Sequence, residues 1–244
     1  MTRVLLLPSP LLPRLLHLPF LQALGARLWA AQRVECSVDV ATFPPDATDA
    51  QDVLAAFRRS VLDGRPDLVV THSNAGRYAA LAAPGIPVVH VDAALPAASG
   101  DELPMAPAVL LDRLADLADD DGLLPPWSRW WPEEGFAQVL PDAAARAHLR
   151  EHERRMPLSY FRSRLGAPPG WTEQPQAYLA FGGTYAEETA LARRLGWPTT
   201  VLEDALHLHQ LVDPDAVATA VLGLAALLDG SIRSAPGRGA TTTG

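Results

Sequence analysis

Leu68-Val69-Val70-Thr71-His72-Ser73-Asn74-Ala75-Gly76 is the stretch whose reading decides the fold. Gly64-Arg65-Pro66 ends whatever helix precedes it, and Asp67–Thr71 is then a short β-rich run of the kind that forms a buried strand. His72–Ala83 follows without a linker, is rich in small residues, and reads as a helix stopped by Pro84-Gly85. A strand that turns this sharply into a helix lifts one side chain above the sheet edge. It also sets that residue's backbone at a helix N-terminus, where N–H dipoles face any negative charge that develops. Ser73 holds that position. The tight turn needs small residues two places before and after the serine, usually as Gly-x-Ser-x-Gly. Thr71 and Ala75 fill these places here; Ala75 is an easy replacement, whereas β-branched Thr71 is a stiffer one. The plainer reading of the same residues is a serine capping an ordinary strand-to-helix turn.

Outward from this turn, short apolar runs alternate with helical segments, the pattern of a mostly parallel sheet covered by helices on both faces. Toward the N-terminus, Val4–Leu7 reads as a strand buried on both sides, Leu15–Ala31 as a helix, Cys36–Thr42 as a strand and Thr48–Leu62 as a helix. Met1-Thr2-Arg3 and the apolar run after it resemble the start of a signal peptide, but Pro8, Pro10, Pro13 and Arg14 break that run. A first strand followed by a turn is the expectation, together with a cytoplasmic protein. Toward the C-terminus, Ile86–Asp92 is a strand. Ala177–Phe181 and Thr199–Glu203 are two more, with a helix at Ala186–Leu195 between them and a last helix from Pro214 to Leu228.

The alternation fails between Ala93 and Gln176, which show no convincing strand. This stretch is punctuated by proline and carries Trp127, Trp130, Trp131 and Trp171, with helices expected at Pro107–Ala118 and Asp142–Arg155. A helical, aromatic insert between two core strands looks like a lid over a site. The expected organisation is therefore a core of residues 1–92 and 177–229, a lid of residues 93–176, and a disordered Gly-, Ser-, Thr- and Arg-rich tail of residues 230–244.

Composition closes off several classes. The 244 residues suit one large α/β domain or one domain with an insert, and 48% apolar residues can fill its core. The net charge is −8, and all 20 basic residues are arginine. An acidic chain without a basic cluster argues against a nucleic-acid partner, and no stretch has the length of apolar residues that a membrane span requires. Cys36, the one cysteine, cannot form an intrachain disulfide and reads as a small hydrophobe in a strand. His207-Leu208-His209 is spaced His-x-His, but nothing else completes a metal site at recognisable spacing, so neither metal nor other cofactor is expected.

The turn around Ser73 resembles the nucleophile strand and elbow of the α/β-hydrolase fold. Gly196-Trp197-Pro198 through His207-Leu208-His209-Gln210-Leu211-Val212-Asp213-Pro214 is similar to that fold's closing strand, histidine loop and final helix, and Leu5-Leu6-Leu7-Pro8-Ser9-Pro10 to its oxyanion strand and loop. The similarity covers nearly the whole chain except insert and tail. It looks closest to small actinobacterial hydrolase-like proteins with a Trp- and Pro-rich lid, and the first two strands of the full fold are missing.

The resemblance implies a sheet of about six strands with Ser73 as nucleophile and His207 as general base, His209 being the rival. It also implies an acid beyond the strand Ala177–Phe181, where this chain reads Gly182-Gly183-Thr184-Tyr185 and offers no carboxylate. Asp92, at the end of its strand, is the preferred substitute, since this fold also uses that location; Glu187 and Glu188 are the others. The oxyanion loop departs too, because Pro10 has no N–H to donate. The donors then become the backbone N–H groups of Leu11 and Asn74, or the Ser9 hydroxyl.

These residues make the expected function attack of Ser73 on a small apolar or aromatic ester, thioester or lactone, with Trp127, Trp130 and Trp131 shaping the substrate pocket. A non-hydrolytic epimerase, cyclase or lyase of natural-product biosynthesis, or an inactive ligand-binding relative, could use the same fold. The expected partner is a small-molecule substrate, with room for a homodimer and none for nucleic acid or membrane.

Overall fold

The computed structural model describes residues 1–32, 35–44 and 47–234. Four strands come first: β1 (Thr2–Leu7), β2 (Cys36–Val40), β3 (Leu68–Ser73) and β4 (Val88–Ala93). Helices α1 (Leu18–Gln32), α2 (Ala50–Gly64) and α3 (Ala79–Ala82) connect them. The insert contributes α4 (Ala108–Leu117), α5 (Glu133–Val139), α6 (Ala143–His152), α7 (Leu158–Arg162) and the two-residue strands β5 (Leu103–Pro104) and β6 (Arg164–Leu165). The core resumes with β7 (Gln176–Phe181), α8 (Ala186–Arg194), β8 (Thr199–Leu202), α9 (His209–Val212) and α10 (Pro214–Ser234).

All six long strands lie in one parallel sheet of order β2-β1-β3-β4-β7-β8. After β1 the chain steps outward to β2, then crosses back to lay β3 on the other flank of β1. The order therefore reverses between β1 and β3. Connections leave that point on opposite sides and open a crevice at the strand C-termini, where open α/β sheets bind ligands. Ser9, two residues past the end of β1, and Ser73, the last residue of β3, lie at this point of the sheet.

Strand alternation divides the core. Leu5, Leu7 and Val69 point to the face covered by α2, and Val4, Leu6 and Val70 to the face covered by α1 and α10. The cluster on the α2 face runs on without a break into the insert, taking in Leu114, Trp127, Phe136, Leu149 and Phe161. The insert is thus anchored by apolar burial continuous with the sheet.

Several sequence expectations shift at element boundaries. β3 runs through His72 to Ser73, and a 3₁₀ turn (Asn74–Tyr78) precedes α3, where one helix from His72 to Ala83 was expected. The insert, read as strandless, contains the antiparallel pair β5–β6. The tail expected to be disordered from residue 230 is helical as far as Ser234, because α10 continues there; residues 235–244 lie outside the described residues.

Candidate active site

Ser73 is the last residue of β3 and has φ 60° and ψ −138°. This is a sparsely populated conformation for a residue with a side chain, costing on the order of 1–3 kcal/mol, and it persists only where the surroundings enforce it. Gly76 is part of that enforcement. A Cβ there would lie 2.3 Å from the Ala94 carbonyl oxygen and 3.0 Å from the Ala93 Cβ. The turn passes so close to the end of β4 that only glycine fits.

Thr71, where glycine is usual, has its own reason. Its Oγ1 lies 2.9 Å from Nδ1 of buried His90, whose Nε2 is 2.8 Å from Gln176 Oε1. The glutamine oxygen can only accept, so His90 Nε2 carries the proton and Nδ1 accepts from the Thr71 hydroxyl. The departure at Thr71 satisfies a polar group that would otherwise be buried without a partner.

Asp92 arrives by an irregularity of the sheet. β3 and β4 pair Thr71 with His90 and His72 with Val91, then Ser73 with Ala93. Asp92 is skipped, the extra residue of a bulge, and has φ 42°. Bulges re-aim side chains, and this one turns a carboxylate off the sheet toward the histidine loop. Tyr178 Oη clamps the next peptide, donating to the Ala93 carbonyl at 2.7 Å and accepting from the Ala93 N–H at 3.1 Å.

The three side chains meet. Asp92 is fully buried; its Oδ1 accepts the Phe181 backbone N–H at 3.0 Å, and its Oδ2 lies 2.7 Å from His207 Nδ1. A carboxylate only accepts, so His207 Nδ1 carries the ring proton and Nε2, 3.1 Å from Ser73 Oγ, is the free base. His209, the rival, packs edge-on against Phe181 with ring centroids 5.7 Å apart. Tyr185, at the usual position of the acid, instead stands against the His207 ring, with centroids 5.6 Å apart and planes tilted by 49°. Burial pushes its phenol up, so it stays neutral. Glu188 faces buried Arg77, and its carboxyl is raised by burial.

Beneath the base lies a second histidine. His72 stacks on His207 at 4.9 Å with an interplanar angle of 25°, and its Nε2–H donates to the His207 carbonyl at 3.0 Å. Burial, with the neighbouring His207 next in effect, pulls His72 well below an ordinary histidine pKa, which keeps it neutral under His207. Sequence reading passed over this residue. Its place beside Ser73 in a buried strand was the signal, but the partner lies 135 residues away.

On the oxyanion side, Ser9 is buried and its hydroxyl donates to Asn74 Oδ1 at 3.1 Å; the Leu11 N–H is directed at Ser9 Oγ at 3.3 Å. Asn74 Nδ2 donates to Tyr160 Oη at 3.2 Å, and Tyr160 Oη is 3.0 Å from Tyr78 Oη. This chain of polar groups ties the loop after β1, the turn after β3 and helix α7 of the insert together. The Asn74 backbone N–H opens the 3₁₀ turn, where donors have no partner within the helix.

The three lid tryptophans part company. Trp127 lies 6.4 Å from the His207 ring and stands edge-on to Phe136. Trp130 is in the lid's own core, against Phe161 and bonded through Nε1 to the Pro125 carbonyl. Trp131 is exposed, with the Arg113 guanidinium over its ring.

The chain has the α/β-hydrolase fold. It resembles an extracellular α/β-hydrolase from a Paenibacillus species, described as sharing structural and functional homology with tobacco salicylic acid binding protein 2, at TM-score 0.66 and 15% identity over 92% of this chain and 98% of that one. A histidine-to-alanine variant of PytH matches at TM-score 0.60 and 18% identity, over 95% of this chain and 98% of that one. No protein-family model and no curated protein matches the chain. Among the described residues, no helix is long and apolar enough to cross a membrane.

Proposed function

We propose that this protein is a serine hydrolase that cleaves a small ester, thioester or lactone through an acyl-enzyme, with Ser73, His207 and Asp92 as its triad. The observation that carries the reading is the unbroken path from Ser73 Oγ through His207 to the buried Asp92 carboxylate, at 3.1 and 2.7 Å. His207 Nε2 takes the Ser73 proton as Oγ attacks the substrate carbonyl, and Asp92 stabilises the imidazolium that forms. The imidazolium then protonates the leaving alcohol or thiol, and the same base activates the water that releases the acid. The Asn74 N–H is the principal oxyanion donor in this reading, and Trp127 the pocket wall beside the base.

One observation favours a second reading. Pro10 has no N–H, and the Leu11 N–H is already directed at Ser9 Oγ, so the loop side of the oxyanion site is poor in free donors. Losing one such donor costs about 3–4 kcal/mol of transition-state stabilisation. A non-hydrolytic reaction that uses His207 for proton transfer needs that donor less.

A fluorophosphonate probe decides between them. Stoichiometric labelling of the wild-type protein, abolished in Ser73→Ala, is the outcome expected of the acyl-enzyme mechanism. A folded wild-type sample that takes no label rules the mechanism out.

A further inference from the structure

Arg77 lies in the 3₁₀ turn that opens at Ser73, four positions beyond it, and only 8% of it is exposed. Arginine does not give up its proton in proteins, so this is a buried positive charge. Its Nε and Nη1 are shielded from solvent and have no acceptor among the described residues. The groups that face it are Glu188, Tyr185, Tyr160 and Tyr78. All three tyrosines are held neutral by burial and offer only hydroxyls. Glu188 comes within no ion-pair distance of Arg77 among the described residues.

A buried cation left in this state is expensive, by several kcal/mol, unless something supplies the missing acceptor. The surroundings say where that something sits. Tyr185 stands beside His207, with ring centroids 5.6 Å apart, and Tyr160 bonds the side chain of Asn74, the residue next to Ser73. The tyrosines that face Arg77 therefore reach the triad histidine on one side and the neighbour of Ser73 on the other. A buried guanidinium with unmet N–H groups is complemented in charge and in hydrogen bonding by a carboxylate.

We propose that Arg77 binds a carboxylate of the substrate, so that the ester cleaved at Ser73 carries an acid group a few atoms from its scissile carbonyl; this rests on the hydrolase reading above. The tyrosine hydroxyls around the guanidinium then complete the hydrogen bonding of the bound acid.

The test compares 4-nitrophenyl hemiglutarate with 4-nitrophenyl valerate, which differ in the terminal carboxylate. The wild-type protein is expected to favour the hemiglutarate in kcat/KM by about tenfold or more, and Arg77→Met to lose that preference, mainly through KM. Arg77→Lys should keep part of it. A wild-type preference for valerate overturns the inference, as does a preference for hemiglutarate that survives in Arg77→Met. Arg77→Met is also expected to fold at least as stably as wild type, since an apolar replacement removes an unpaired buried charge; a marked drop in Tm would make Arg77 a structural residue instead. Should neither ester turn over and no fluorophosphonate label appear, the hydrolase reading fails on its own. The carboxylate site is then read by thermal shift: millimolar glutarate raises the Tm of wild type and not of Arg77→Met, and no shift in wild type sinks the site.

Discussion

Asp92 Oδ2 lies 2.7 Å from His207 Nδ1, across 115 residues of sequence, and reaches it because the β3–β4 pairing skips Asp92. In the proposed triad, the bulge supplies the acid that the loop after β7 lacks. Asp92→Asn keeps the shape but can donate to Nδ1, favouring the wrong tautomer, so kcat should fall roughly ten-thousand-fold with KM little changed. Glu187→Gln, at the start of α8, should leave kcat near wild type. Steady-state kinetics on a nitrophenyl ester compares the two; an equal loss in both would move the acid away from Asp92.

Gly76→Ala tests how the strained serine is held. The new Cβ would fall 2.3 Å from the Ala94 carbonyl oxygen, so the 3₁₀ turn and the end of β4 must separate. That end carries Asp92. We expect a loss of roughly 2 kcal/mol or more in stability, with activity falling further than stability alone explains. Denaturant unfolding and kcat on the same sample measure both. A fully active, equally stable variant would mean that the turn relaxes freely.

The elbow, the histidine loop and the strand–helix alternation were legible because each is local: an apolar run, a break, a helix, repeated. Asp92 was also reachable, as a carboxylate closing a strand. The polar groups that surround the triad were not. Ser9, Asn74, Tyr160 and Tyr78 join over separations of 65, 86 and 82 residues, and no periodicity records such a pairing. Thr71 looked like a defect of the motif because its partner, His90, belongs to another strand. The tryptophans misled in the opposite direction, since three residues close in sequence point to three different environments.

Those environments give separate outcomes. Trp127→Ala removes the ring beside His207 and should raise KM for aromatic esters several-fold. Trp130→Ala opens a cavity in the lid core and should cost on the order of 3–5 kcal/mol. Trp131→Ala, at an exposed ring, should change neither quantity beyond roughly 0.5 kcal/mol. A Trp131 variant with the largest KM effect would mean that the lid presents a different face to substrate.

Acid should destabilise the fold through its buried histidines, and His17 isolates the effect. Burial lowers His17 to about 4, and both of its ring nitrogens lack hydrogen-bond partners among the described residues. The folded state therefore binds fewer protons than the unfolded chain between about 4 and the ordinary value of 6.5. The sign follows: the stability that goes with a neutral His17 is complete above pH 6.5 and lost as pH falls toward 4, by up to about 3 kcal/mol. His90, also lowered to about 4 by burial, acts in the same direction. His17→Leu removes one titrating group and two unpartnered nitrogens, so it should equal or exceed wild-type stability at pH 7.5 and flatten the decline toward pH 4. Urea unfolding at both pH values gives the difference of differences. If the two proteins lose stability in parallel as pH falls, His17 is protonated without penalty, and water or a rearranged partner must reach its ring.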